Sequence, residues 1–83
     1  PTPQIGGWDV SRVHSFRKMF SAASDFNQDL NEWSVGHAEI FNGMFNYATA
    51  FNGDISSWDV SGDEDMKYMF DHAYSFNRDI GNW

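Results

Sequence analysis

The sequence contains no cysteine, two prolines and only five lysine or arginine residues among 83. The absence of cysteine excludes disulfide bonds and thiolate-ligated metal sites. With twelve aspartates and glutamates and a net charge of −7, the chain lacks the basic patches that nucleic acids and anionic membrane surfaces require. No apolar run approaches the roughly 20 residues needed to cross a bilayer, so we expect no direct membrane insertion.

Aromatic residues are abundant, with eight Phe, four Trp and three Tyr. Each aromatic side chain buries roughly 150–250 Å² when it packs. A chain of this length suits one domain, and such a domain buries only about 60% of its unfolded surface. We therefore expect dense aromatic packing to supply much of the stability.

Three tandem copies of a 25-residue unit make up the chain. A shift of 25 residues aligns the copies without a gap, and the strongest columns are Trp8, Trp33, Trp58 and Trp83; Met19, Met44 and Met69; Phe20, Phe45 and Phe70; and Phe26, Phe51 and Phe76. We expect residues 1–83 to form a single repeat array, itself a fragment of a longer one. Its units lie at about 5–29, 30–54 and 55–79, with a partial fourth at 80–83.

The apolar spacing changes within each unit and predicts two kinds of secondary structure. Residues 13, 16, 19, 20 and 23 follow the stripe of an amphipathic helix. Ser11 and Ser61 stand at expected N-caps, and Ser61 with Glu64 fits a capping box. Helices are predicted near 12–23, 37–48 and 62–73, separated by a short strand, a corner and a second extended piece.

These units predict an α/β repeat solenoid, with short parallel strands on one side and helices on the other. Strands stack about 4.8 Å apart, whereas helices need about 8–10 Å. The stack should therefore curve, with a concave strand face as the expected binding surface.

The motif W-D-V-S followed by M-F-x-x-A-x-x-F-N-x-D-I, read from Trp8 and again from Trp58, resembles the BspA-like leucine-rich repeats of bacterial surface lipoproteins. The resemblance extends from Ile5 to Trp83. It implies a leucine-rich-repeat-like solenoid at the cell surface or outside the cell, engaged in adhesion or protein recognition, with no active site.

One acidic column is the most suggestive constellation: Asp29, Asp54 and Asp79. Stacked carboxylates repel one another, so a calcium site is one interpretation. Bonding of each carboxylate to backbone amides at the adjacent corner is the favoured one. A neighbouring amide column is expected to bond the backbone of the next coil: Asn27, Asn52 and Asn77.

Nothing in the sequence indicates an enzyme or a cofactor. The three histidines fall in different columns, so stacking is not expected to bring them together. Recognition by repeats usually lies in columns that vary. The first candidates are therefore Gln28 and Arg78, which share a column with Gly53. The constant aspartates are candidates for a partner contact as well: Asp29, Asp54 and Asp79.

The sequence thus predicts a non-catalytic module that recognises a protein or a glycan. The alternative is a structural or scaffold subunit packed in a larger assembly. Either interpretation places neighbouring repeats or subunits against the solenoid ends, where terminal repeats normally carry polar caps and these units do not.

Overall fold

The computed structural model describes residues 4–81 and 83, with principal extents of 29 × 26 × 21 Å. Within these residues there is no helix and no extended strand. The only ladder pairs among them are two isolated parallel bridges, Ser15 with Ile40 and Ile40 with Asp65. The predicted α/β solenoid with helices on one side and parallel strands on the other is therefore wrong.

Turns occupy the segments predicted as helices, with continuous turn runs at 17–22, 42–47 and 67–72. The backbone bonds inside a unit span three residues instead of four. Met19 N–H donates to Phe16 O and Ala23 N–H to Phe20 O, both at 3.1 Å. Apolar residues three apart therefore begin and end successive β-turns. The same spacing fits one face of a helix, which is why the apolar pattern predicted helices here.

A left-handed backbone recurs at two positions of each unit, where a right-handed helix cannot continue. The first position has φ of 56–66° and the second 59–61°. Their residues are Lys18, Gly43 and Tyr68 at the first position and Ala22, Tyr47 and His72 at the second. Only one of the six is glycine, so the sequence offers little sign of this conformation.

The units stack as coil 1 (residues 8–32), coil 2 (33–57) and coil 3 (58–81). Phe16 N–H donates to Ile40 O and Phe20 N–H to Met44 O, both at 2.8 Å, and coil 2 bonds coil 3 in the same way. Along the turns, alternate amides bond the next coil while those between them close turns in their own coil. The backbone is thus satisfied without a helix or a wide sheet.

Stacked aromatic rings form the core, which is deepest in coil 2. Phe41, Phe45 and Phe51 are 0% exposed. The Phe20, Phe45 and Phe70 rings stack with centroids 5.6 and 5.7 Å apart. The expected dense aromatic packing is therefore present, with Phe26, Phe70 and Phe76 only partly buried at its margin.

The tryptophan column is core only where coils cover it on both sides. Trp33 and Trp58 are buried, and their indole N–H groups donate to Ile5 O at 2.9 Å and Leu30 O at 2.8 Å. In contrast, Trp8 is 54% exposed and Met19 is 43% exposed on the outer side of coil 1. Burial therefore includes Trp33 of coil 2 and Trp58 of coil 3 but not Trp8 and Met19 of coil 1.

Ser11 and Ser61 are not helix caps. The Ser11 hydroxyl donates to Asp9 Oδ1 at 2.6 Å and its amide donates to the same oxygen at 3.0 Å. Ser61 bonds Asp59 with the same two distances. These bonds, led by the hydroxyl, lower the pKa of both carboxyls. The W-D-V-S motif therefore encodes a turn closed by its aspartate.

Candidate functional site

The asparagine column links the coils as predicted. Asn27 Oδ1 accepts the Asn52 amide at 2.7 Å, and Asn52 Oδ1 accepts the Asn77 amide at 2.8 Å. Each side chain thereby satisfies a backbone donor 25 residues further along. The ladder lies at the surface, and its Asn27 and Asn52 line an open depression there.

The aspartate column bonds backbone amides, and the favoured interpretation, bonding at the adjacent corner, holds for Asp54 and Asp79. Asp54 Oδ1 accepts the Ser56 amide at 3.0 Å, and Asp79 Oδ1 accepts the Gly81 amide at 2.9 Å. Asp29 differs, because its Oδ1 accepts the Asp54 amide of the next coil at 2.8 Å. Among residues 4–81 and 83, no group of three or more His, Asp or Glu could hold a metal ion.

Asp54 is also affected by a charge. Its pKa is lowered mainly by the hydrogen bond from the Ser56 amide, then by the Ser56 hydroxyl, and further by the Arg78 guanidinium. An anionic Asp54 therefore lies within electrostatic reach of Arg78.

The variable column of Gln28, Gly53 and Arg78 has a structural side as well as an exposed one. Gln28 Oε1 accepts the Ile5 amide at 2.9 Å, and Arg78 Nε donates to Asn52 O at 2.8 Å. A Cβ atom at Gly53 would overlap the carbonyl oxygen of Gln28. The glycine between the two long side chains is therefore required by the close approach of coil 1.

An open depression of about 540 Å³, here called the polar groove, crosses this column. It is lined by Gln4, Gly6, Gly7, Asn27, Gln28, Asp29, Asn52 and Arg78. Of the predicted binding residues, Gln28, Asp29 and Arg78 meet here, whereas Asp54 and Asp79 are not in the lining. The expected concave strand face is absent from residues 4–81 and 83, where the groove is built from irregular segments and turns.

Sequence reasoning missed part of the groove. The N-terminal segment contributes Gln4, Gly6 and Gly7, and the asparagine ladder contributes Asn27 and Asn52. The glycine pair was a visible signal of a turn. A Cβ atom at Gly6 would lie 2.8 Å from the Asp29 carbonyl oxygen, whereas the space at Gly7 is open. The sequence predicts only a structural role for Asn27 and Asn52, whereas in the structure they also line the groove.

The prediction that the histidines stay apart is wrong for one pair. The His14 and His37 rings meet edge to face with centroids 6.5 Å apart. His37 occupies the same column as Arg12, 25 residues earlier. Stacking therefore places His37 beside the segment that contains His14. His14 Nδ1 also lies 3.9 Å from Glu39 Oε1, with those side chains 72% and 50% exposed.

A second surface feature had no counterpart in the sequence interpretation. Tyr47 and Tyr74 are 48% and 76% exposed, and both contact the His72 ring. We call Tyr47, Asp71, His72 and Tyr74 the tyrosine patch. The sequence does not indicate this patch, because Tyr47 and Tyr74 stand in different columns and neither tyrosine recurs in the other copies.

A family model described as Mycoplasma protein of unknown function, DUF285, matches residues 2–83. The chain belongs to this family. The match agrees with a repeat-type family, whereas the BspA-like assignment is finer than that description. No curated protein and no solved structure matches the chain. None of the described residues of this DUF285 member form a helix long and apolar enough to cross a bilayer.

Proposed function

We propose that this DUF285 member is a non-catalytic recognition module and that its polar groove binds a segment of a partner protein. One observation carries the proposal: side chains from the N-terminal segment and from all three coils converge on a single depression. Amide donors and acceptors, one arginine and one aspartate suit the backbone and polar side chains of a peptide.

The composition of the groove favours a peptide over a glycan. Sugar rings commonly stack on exposed aromatic side chains, and the residues that line the groove include none. Arg78 engages only its Nε, so its terminal guanidinium nitrogens have no hydrogen bond within the described part of the chain. Those nitrogens can donate to a carbonyl or a carboxylate of the bound segment.

The resemblance to BspA-like surface repeats supports a more specific form of the proposal. In that form the module acts in adhesion, on a cell surface or outside the cell. The location rests on the resemblance alone, and surface labelling of intact source cells with an antibody against the chain would test it.

Selection from a random peptide display library, run beside a glycan array, tests the groove directly. Arg78→Glu should weaken a selected peptide roughly tenfold or more, because it reverses the one cationic group of the groove. Arg17→Glu is the matched control, since Arg17 is also exposed and lies outside the groove. Binding of glycans alone, or equal losses in the two variants, would contradict the proposal.

A structural role is the second candidate, and the outer face of coil 3 favours it. The amides of Met66, Tyr68, Phe70 and His72 have no acceptor among the described residues, whereas the equivalent amides of coils 1 and 2 all bond the next coil. Trp83 and Phe76 are only partly buried on this side. A further coil of the same kind would complete these contacts.

This second candidate can be tested by extension. A copy of residues 34–57 joined after Trp83 should raise the melting temperature by about 5 °C or more, since about 1 kcal/mol corresponds to 4–8 °C in a domain of this size. The same residues in reversed order are the control. Equal melting temperatures for the two extended chains would argue against a stacking face.

A further inference from the structure

The tyrosine patch is a preformed aromatic surface outside the polar groove. The Tyr47 and His72 rings are nearly parallel, with centroids 4.2 Å apart and planes 6° apart. Tyr74 meets His72 edge to face at 5.6 Å. Exposed fractions of 48% for Tyr47 and 76% for Tyr74 leave part of each side chain accessible to a partner.

Contacts between coils 2 and 3 hold the patch in place. The Tyr47 amide donates to Asp71 O at 2.8 Å, and both Tyr47 and His72 have a left-handed backbone. The Asp71 carboxylate contacts Asn46 Nδ2 at 3.2 Å and His72 Nδ1 at 3.1 Å. A carboxylate has about four acceptor sites, so Asp71 retains capacity for another donor beside the rings.

Charge indicates what the patch would bind. Coil 3 contains six Asp or Glu residues and two Lys or Arg residues, which gives −4 of the total charge of −7. A cation is attracted both by this charge and by the faces of the tyrosines. Coil 3 already shows such a contact, since Lys67 Nζ lies 5.0 Å from the centroid of the Tyr68 ring.

We propose that the tyrosine patch binds an arginine side chain from a basic segment of a partner protein. A guanidinium is planar, so it stacks on a tyrosine face while its edge pairs with a carboxylate such as Asp71. A lysine offers a point charge without the planar face, so arginine is preferred over lysine. The patch shares no residue with the polar groove, and the two proposals stand or fall separately.

The test uses three acetylated and amidated tetrapeptides: tetra-arginine, tetra-lysine and tetra-glutamate. Each is titrated into the chain, with affinity measured from amide chemical shifts in NMR spectra. Tetra-arginine should bind most tightly, with the largest shifts at Tyr47, Asp71 and His72. Tetra-glutamate should not bind.

Variants then locate the contact. Tyr74→Ala should weaken tetra-arginine about two- to fivefold, the range expected for one exposed cation–π contact. Asp71→Asn should weaken it further, because the variant loses the charge and keeps the shape. Tyr68→Ala is the matched control, since Tyr68 is 61% exposed, lies outside the patch and already has Lys67 Nζ 5.0 Å from its ring centroid.

The proposal would be overturned if tetra-arginine shifted residues 63–65 instead of the patch, or if Tyr74→Ala and Tyr68→Ala behaved alike. Equal binding of lysine and arginine would show charge attraction without stacking and would also refute it. Unchanged melting temperatures for the variants separate these outcomes from loss of fold, and Tyr74 is exposed enough for its truncation to leave the core intact.

Discussion

Replacing Ala22 by glycine should stabilise the protein, although glycine usually destabilises. Ala22 has a φ of 61° and an exposed side chain, so its methyl group adds strain and little burial. A left-handed conformation costs an L-residue roughly 1–2 kcal/mol, and the extra freedom of glycine in the unfolded chain costs roughly 0.4–1 kcal/mol. The difference predicts a gain of about 0.5–1 kcal/mol in the free energy of unfolding.

The opposite substitution provides the reciprocal test. Gly43 has a φ of 66°, and a Cβ there would lie 3.2 Å from Lys18 Cγ, which belongs to a flexible side chain. Gly43→Ala should therefore cost about 0.5–1 kcal/mol by the same difference with its sign reversed. Ala50→Gly is the control, because Ala50 has no positive φ and should lose about 0.4–1 kcal/mol.

Urea unfolding followed by tryptophan fluorescence would measure all three variants, and thermal unfolding should shift by about 2–8 °C in the matching directions. The reasoning is refuted if Ala22→Gly destabilises as Ala50→Gly does. It is refuted equally if Gly43→Ala stabilises, since either result would mean that the left-handed turns do not form.

Three further predictions follow from the same structure. Phe45→Ala should cost about 3–5 kcal/mol, measurable by urea unfolding, because its fully buried ring stacks in the centre of the core. Gly53→Ala should lower the melting temperature, while Gly7→Ala, with open space around its Cβ position, should change it little. The lowered pKa of Asp9 contributes stability that is complete above its unfolded value of 3.8 and is lost as pH falls through the folded value. Ser11→Ala should reduce this loss in melting curves recorded from roughly pH 5 to 2, and an unchanged acid profile would count against the Asp9 contact.

Parts of the candidate site were accessible from the sequence because repetition alone restricts what stacks. Asn27 and Asn52 stand 25 residues apart, so their ladder follows as soon as the units stack. Gln28 and Arg78 were found because their column varies. The groove itself was not foreseen, since Gln4 and Gly6 reach it only through the path of the N-terminal segment.

The helix prediction is wrong because local spacing fits two conformations, and contacts between coils select the other one. Phe16 and Met19 are three residues apart, and both a helix and a β-turn place such residues on one side of the chain. The alternative conformation is selected by bonds such as Phe16 N–H to Ile40 O, which exist only when another coil is present. Bonds between coils also stabilise the left-handed backbone at Ala22 and Tyr47. Neither alanine nor tyrosine is a residue type that indicates this conformation.

The sequence by itself determined the period of 25 residues, the columns that pack and the amides that tie one copy to the next. It could do so because identical side chains at a constant spacing meet whenever copies stack. Only the tertiary structure decided that the units are chains of turns, that a groove opens across three coils and that Tyr47 and Tyr74 meet on His72. Those features depend on contacts between coils, such as the Ala22 N–H to Asn46 O bond and the Tyr47–His72 ring contact, and spacing within one unit contains no information about such contacts.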